Sequence, residues 1–199
     1  MEGHPIRAAV GIHIGGLMVG IVGEEERMQG TVISDAVNIA SRLQGLTRKY
    51  GCPILVSEQT LHGVQFPDSF HARLVDKVRM RGKTALTTVY EIFDGDDPAL
   101  FESKLSTLAQ YEEGLNLFHA RDFSGAHKRL SEVVQKSPSD SLAVMYLERA
   151  AAGIRGKYPR SGRESSGGAK RAHWFLTLAY SVMGCGWCKA LTGAKHIFI

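Results

Sequence analysis

Asn38 and Arg42 are the two residues of this chain whose types and spacing best suit chemistry. They lie in the run GTVISDAVNIASRL, at residues 30–43, on what is predicted to be an otherwise largely apolar helix. Residues four apart on a helix project from the same face, so an amide and a guanidinium would be presented together. Such a pair suits an anionic, phosphate-like group, because arginine offers a rigid fork of donors. The alternative is a purely structural role, in which Asn38 caps a neighbouring backbone group and Arg42 is solvated at the side of the helix.

The elements that must position this pair follow from hydrophobic patterning. Residues 8–14 and 18–22 are predicted to form two strands joined by a Gly-Gly turn. Ser34 or Asp35 is expected to cap a helix that runs to about Lys49. Further elements are predicted downstream: a short buried strand at 53–56, a short helix from Ser57, and a closing hairpin of residues 70–78 and 85–93.

Several segments, taken in order, resemble the C-terminal half of a class III adenylate/guanylate cyclase catalytic domain. Besides the run above they are AAVGIHIGGLMVGIVGEEERMQG (8–30), GLTRKYGCPILVSEQT (45–60), DKVRMRGK (76–83) and TTVYEIF (87–93). The resemblance spans roughly residues 6–93. It implies an α/β (α+β) fold, a partial ferredoxin-like nucleotide cyclase domain that works as a head-to-tail dimer with its active site at the interface.

The resemblance also implies roles for individual residues. Asn38 and Arg42 match the pair that stabilises the transition state of 3′,5′-ring closure. Thr31 matches the position that reads the purine, and a threonine there is similar to adenylate rather than guanylate cyclases. Ile33 belongs to the same substrate-binding run. Lys83 matches the lysine that holds the triphosphate; on spacing alone it would be a solvated hairpin charge.

The resemblance implies a metal centre whose ligands this chain does not carry. In the family, two aspartates in the first half of the domain bind Mg²⁺ or Mn²⁺, whereas Glu2 is the one acidic residue before Gly11. Asp35 falls at a helix start, where capping and the helix dipole favour acids, so no metal ligand is assigned. We therefore expect a fragment that needs a homo- or heterodimeric cyclase partner to supply the aspartates. Residues 23–29 are expected to form a loop, which resembles the arm that reaches across such a dimer.

The implied activity is that of a phosphorus–oxygen lyase in intracellular signalling. It would form cyclic AMP rather than cyclic GMP, together with pyrophosphate, from ATP (or GTP). One rival interpretation is a non-catalytic module that pairs with cyclases and regulates them, and another is a gene remnant without function. No N-terminal signal sequence is present, which predicts a cytoplasmic location.

Three parts are predicted along the chain: a cyclase half at 1–95, a helical segment at 99–153, and a basic linker with an apolar tail of unknown role at 156–199. By composition, residues 94–98 are a linker. The helical segment resembles one tetratricopeptide repeat in the spacing of Tyr111, Gly114, Leu117, Ala126, Leu130 and Pro138, followed by a third helix. One repeat is too small to be stable alone, so we expect it to dock on the cyclase half or on a protein partner. A peptide-binding groove and a plain helical appendage both stay open.

The basic charge of the chain belongs to its C-terminal part. Residues 156–199 carry seven Lys and Arg against one acid, whereas the remainder carries 17 against 19, a net charge of −2. The body therefore gives no support for nucleic-acid binding. Residues 174–191 are apolar but shorter than the roughly 20 residues of a membrane span, so a span, a peripheral helix and an aberrant tail stay open. Cys185 and Cys188 form a Cys-x-x-Cys pattern to which no function is assigned.

Overall fold

The computed structural model describes residues 8–16, 18–24, 27–65, 69–79, 86–158 and 197–198. Lys83 and the predictions for the apolar tail and its cysteines lie outside these residues. In chain order the elements are β1 (Val10–Ile14), β2 (Met18–Glu24), β3 (Arg27–Ile33), α1 (Asp35–Tyr50), β4 (Ile54–Ser57), α2 (Glu58–Gly63), β5 (Ala72–Arg79), β6 (Leu86–Ile92), α3 (Pro98–His119), α4 (Phe123–Lys136), α5 (Ser141–Ile154) and β7 (Ile197–Phe198).

A mixed sheet with helices packed on it forms the body of the protein. The strand order is β5-β6-β4-β1, with the two-residue β7 beside β1. β1 and β4 are parallel and are connected through α1, whereas β6 pairs antiparallel with both β4 and β5. A parallel pair requires such a crossover, and in this chain α1 packs on β1 and β4. The mixed α+β fold class and the closing hairpin are therefore confirmed.

The hairpin of β2 and β3 is the main feature that the patterning did not predict. Its two strands pair along their whole length, from Met18 opposite Ile33 to Glu24 opposite Arg27. The expectation of a loop over residues 23–29 was wrong for most of that segment, because pairing satisfies the backbone hydrogen-bonding groups of both strands. β1 and β2, predicted as two strands joined by a Gly-Gly turn, lie in different sheets.

Helix α1 begins and ends where the sequence predicts. Ser34 is the N-cap, and its hydroxyl accepts a hydrogen bond from the Ala36 amide. Gly51 ends the helix at φ 69°, a left-handed conformation that glycine adopts without steric penalty, and its amide donates to the Thr47 carbonyl. The inner face of the helix is buried through Ala36, Ile39, Ala40, Leu43, Leu46 and Tyr50.

Gly11 lets α1 lie directly on β1. A methyl group at Gly11 would overlap the Ala40 carbonyl oxygen and the Gln44 amide nitrogen, and it would stand 2.9 Å from the Gln44 Cα. Those are backbone atoms of the helix, which cannot rotate away as the end of a side chain can. The backbone-to-backbone approach of strand and helix therefore requires glycine at this position.

The helical segment covers the outer edge of the sheet. β5 is an edge strand, and a register shift between Leu74 and Asp76 leaves Val75 as an extra residue in its ladder with β6. The Tyr111 hydroxyl donates to the Leu74 carbonyl at 2.9 Å, and the Tyr146 hydroxyl donates to the Val75 carbonyl at 2.7 Å. Two buried tyrosines of α3 and α5 thus satisfy carbonyls of the edge, and the predicted docking of the helices on the cyclase half is confirmed.

A buried ion-pair network joins the same helices to the β5–β6 hairpin. Arg73 donates to Glu91, its cross-strand neighbour, at 2.6 Å and makes two hydrogen bonds to Asp140 at 2.6 and 2.8 Å. Lys104 donates to Glu91 at 2.8 Å and to Asp96 at 2.6 Å. None of these five side chains is more than 6% exposed. Each charge is therefore held by an opposite charge, not by water.

The charges of this network support one another. Burial opposes the charged form of Arg73, but the hydrogen bonds to Asp140 and the attraction of Glu91 outweigh it and raise the pKa of the guanidinium. Burial likewise opposes ionisation of Asp140, yet the hydrogen bond from Arg73 keeps the pKa of this carboxyl below its usual value. The pair is therefore held in its ionised form.

Residues 94–98, which were expected to be a linker, lie between β6 and the first turn of α3 and are held by several hydrogen bonds. Asp94 accepts hydrogen bonds from the backbone and the ring Nδ1 of His71, at 2.9 and 2.8 Å. Asp97 is the N-cap of α3 and Pro98 occupies its first turn. These contacts account for the acidic composition of the segment.

One hydrophobic core runs from α1 through the sheet into α3–α5. Within the described part of the chain no helix is both long and apolar enough to cross a membrane.

Arg73→Met should destabilise the protein by about 3–5 kcal/mol, because it leaves Glu91 and Asp140 buried without their cation. Urea unfolding followed by circular dichroism measures the change. Arg129→Met is the matched control, since Arg129 pairs with Glu113 and Glu132 at the surface and is 40% exposed. Equal shifts of the midpoint in the two variants would contradict a special contribution from the buried network.

Gly11→Ala should lower the free energy of unfolding by about 1–3 kcal/mol, because the added methyl forces α1 away from β1. Gly45→Ala is the control, since Gly45 lies on the exposed side of the same helix with open space around its Cα. That change should raise the free energy of unfolding by about 0.5–1 kcal/mol through helix propensity. Thermal unfolding of both variants checks the opposite signs, and two shifts of the same sign would disprove the close approach.

Candidate functional site

Helix α1 presents Asn38 and Arg42 on the side away from its buried face. Asn38 is exposed and Arg42 is half-buried, whereas Ile39, Ala40 and Leu43 beside them are in the core. The two residues lie one helical turn apart, a rise of about 6 Å along the helix axis. The expected pairing of an amide and a guanidinium on one accessible stretch of helix is therefore present.

The start of α1 is fixed to the loop that follows β1. The Ser34 hydroxyl donates to the Gly16 carbonyl at 2.6 Å while it accepts from the Ala36 amide at 3.0 Å. Asp35 is the first helical residue and is exposed, in the position that the helix dipole favours for an acid. The Ser34 hydroxyl thus connects the first turn of α1 to the loop after β1.

Thr31 and Ile33 lie in β3 immediately before this cap. Their backbones pair with Gly20 and Met18 of β2. Since β3 ends at Ile33 and Ser34 caps α1, the chain carries both residues to the N-terminal end of the helix that holds Asn38. The structure therefore brings four of the five predicted site residues into one continuous stretch, and Lys83 is the one outside the described residues.

The hairpin that carries Lys83 is described up to its two last paired residues. Arg79 of β5 pairs with Leu86 of β6, and residues 80–85 connect them. Lys83 itself lies outside the described residues, so its predicted role stays a prediction.

A contact at the other end of α1 was not predicted from the sequence. The Tyr50 hydroxyl donates to Asp76 Oδ2 of β5 at 2.8 Å, and Arg149 Nη1 of α5 lies 3.9 Å from the same oxygen. Asp76 directly follows the extra residue of the bulge. The sequence gives no sign of the register shift beside Asp76, so this contact could not be predicted from it.

The described residues do not fit a divalent metal centre. Among residues 8–158, gaps excluded, no group of three or more His, Cys, Asp and Glu side chains is placed to hold a metal ion. The first turn of α1 holds one acidic residue, Asp35. Mg²⁺ and Mn²⁺ need several oxygen ligands, so one carboxylate at this end of the helix does not make a site for either ion.

The arrangement of α1 suits the binding and stabilisation of negative charge. An asparagine amide donates hydrogen bonds, and a guanidinium adds a permanent positive charge in a fixed planar geometry. Such groups act on reactions in which charge develops on phosphate oxygens, where preorganised donors lower the barrier.

Comparison with known proteins identifies the first part of the chain. Residues 1–92 match the family described as "Adenylate and Guanylate cyclase catalytic domain". An "Adenylate cyclase" of Anabaena cylindrica is 46% identical over 88 residues, which is 44% of this chain and 18% of that protein. "Adenylate cyclase 1" of Rhizobium meliloti is 36% identical over 86 residues, or 43% of this chain and 13% of that protein.

A third relative extends the likeness beyond residue 92. "Adenylate cyclase, terminal-differentiation specific" of Dictyostelium discoideum is 32% identical over 151 residues, 75% of this chain and 7% of that protein. The chain thus spans only a small part of the length of these relatives. The crystal structure of the adenylyl cyclase CyaB from P. aeruginosa is 28% identical over 43% of this chain and 42% of that chain, with a TM-score of 0.36.

The family match covers the segment that contains α1, and the relatives reported above are named as adenylate cyclases. The tetratricopeptide likeness of the helical segment stays a prediction, since the family match ends at residue 92. Residues 1–92, just under half of this chain, thus match the adenylate and guanylate cyclase catalytic domain family.

Proposed function

We propose that this chain contributes one half of a class III nucleotide cyclase site that forms cyclic AMP and pyrophosphate from ATP. The observation that carries the proposal is the placement of Asn38 and Arg42, accessible and one turn apart on a helix whose opposite face is locked into the core. The relatives named as adenylate cyclases favour ATP over GTP as the substrate.

In this proposal Asn38 and Arg42 bind the reacting phosphate during ring closure. When the ribose 3′ hydroxyl displaces pyrophosphate, negative charge spreads over the phosphate oxygens. A rigid helix holds the amide and the guanidinium in place before the reaction, so little reorganisation is needed as that charge develops. The core contacts of α1 supply this rigidity.

The remaining predicted residues would bind the rest of the nucleotide. Thr31 and Ile33 would contact the base, and the threonine hydroxyl can donate to a ring nitrogen or accept from an exocyclic amine. Lys83 would hold the triphosphate. We propose that Mg²⁺ or Mn²⁺ and its aspartates come from a second cyclase domain that pairs with this chain in a homo- or heterodimer.

The test is cyclic AMP production in a complementation mixture. The purified chain is combined with ATP, Mg²⁺ and a cyclase domain whose own Asn/Arg pair has been replaced by alanine. We expect activity in the mixture, and the Asn38→Ala and Arg42→Ala variants of this chain should each reduce the rate by about two to three orders of magnitude. Replacing ATP with GTP measures the base preference in the same assay.

Arg48→Ala is the control on the same helix, since Arg48 is exposed in the last turn of α1 and has no part in the proposed site. It should leave the rate unchanged. Full activity after removal of both Asn38 and Arg42 would contradict the proposal. Association with the second domain that is independent of nucleotide, without any activity, would favour a non-catalytic module.

A further inference from the structure

We infer that Tyr50, Asp76 and Arg149 are positioning residues, through which the helical segment sets the geometry of the Asn38/Arg42 helix. This inference rests on the proposed function of that helix. It goes further by giving α3–α5 a task in the reaction: they hold the far end of α1 in place. Three separate sets of contacts carry it.

The first set is the polar bridge on Asp76. Its Oδ2 accepts a hydrogen bond from the Tyr50 hydroxyl at 2.8 Å and lies 3.9 Å from Arg149 Nη1, while its Oδ1 accepts from the Lys77 amide at 2.7 Å. Tyr50 is the last residue of α1 and is 1% exposed, and Arg149 belongs to α5. One carboxylate of β5 thus connects the end of the site helix to the helical segment.

The second set is a direct contact between α1 and α5. Gly51, the C-cap of α1, has no side chain, and a methyl group there would stand 2.7 Å from the Ser141 Cβ. Ser141 opens α5 right after its N-cap, Asp140, which is held by Arg73 through two hydrogen bonds. The end of the site helix therefore abuts a helix start that the buried ion network fixes to the sheet.

The third set explains why Asp76 points where it is needed. The extra residue Val75 shifts the register of β5, and bulges of this kind redirect the side chains that follow them. The carbonyls of Leu74 and Val75 accept hydrogen bonds from Tyr111 and Tyr146 of the helical segment. The bulge is thus held in place by the same helices that touch the end of α1.

A rigid helix transmits displacement along its length, so a shift at Tyr50 moves Asn38 and Arg42. Small misplacements of groups that bind a transition state reduce the rate strongly, whereas initial substrate binding is less sensitive. A partner that moved α5 would therefore alter the turnover of the site. This is a physical route by which the helical segment could regulate the cyclase half.

The experiment measures kcat and KM for ATP in the complementation mixture, together with hydrogen exchange of α1 amides in this chain. Tyr50→Phe and Arg149→Met should each lower kcat roughly tenfold and leave KM nearly unchanged. Both should speed exchange in peptides of α1 but not in peptides of β4 or β6. Arg149→Lys should restore most of the activity, because it keeps the positive charge beside Asp76.

Arg155→Met is the matched control, since Arg155 is exposed at the end of α5, and it should behave as the unmodified chain. Unchanged kcat and unchanged α1 exchange in both variants would overturn the inference, and so would faster exchange across the whole sheet, which indicates a purely structural role. If the unmodified chain is inactive in the mixture, the proposed function fails. The hydrogen-exchange rates of the α1 amides in the variants and in the unmodified chain then still decide whether the helical segment holds this helix.

Discussion

The buried ion network around Arg73 is the constraint on which the rest of this structure depends. The side chains of four charged residues are buried away from water: Arg73 of β5, Glu91 of β6, Lys104 of α3 and Asp140, the N-cap of α5. Charges in such surroundings are tolerated only when every partner is in place, because a single missing partner leaves an uncompensated charge. The hairpin and the helices must therefore assemble together, although the family match ends between them.

The helices that the ion network fixes to the sheet also cover its edge strand, β5. An edge strand with an irregular ladder exposes backbone carbonyls, and in this chain Tyr111 and Tyr146 satisfy two of them. The C-terminal end of α1 is bound to β5 by the hydrogen bond from Tyr50 to Asp76, and Gly11 allows the middle of α1 to lie against β1. The accessible pair on α1 thus derives its position from contacts that run the length of the helix.

Local chemistry made much of this structure predictable, and non-local contacts account for what was missed. Ser34 and Gly51 mark the ends of α1 because capping depends on one residue and its immediate neighbours. The spacing of Asn38 and Arg42 sufficed to place them together. Residues 94–98 have the composition of a linker, yet the partner of Asp94, His71, is distant in sequence. Of the β2–β3 hairpin, β2 was predicted and β3 was missed, because residues 23–30 are mostly polar and bounded by glycines, as is typical of a loop.

We expect the helical segment and the cyclase segment to unfold as one cooperative unit, because they share one core and one buried ion network. Urea unfolding of the full chain, followed by pulsed hydrogen exchange and mass spectrometry, reads peptides of both parts in one sample. We expect amides of β5–β6, of α1 and of α3–α5 to become labelled with one common midpoint. Labelling of α3–α5 at clearly lower urea, while β5–β6 and α1 stay protected, would show that the two segments unfold independently and would contradict this expectation.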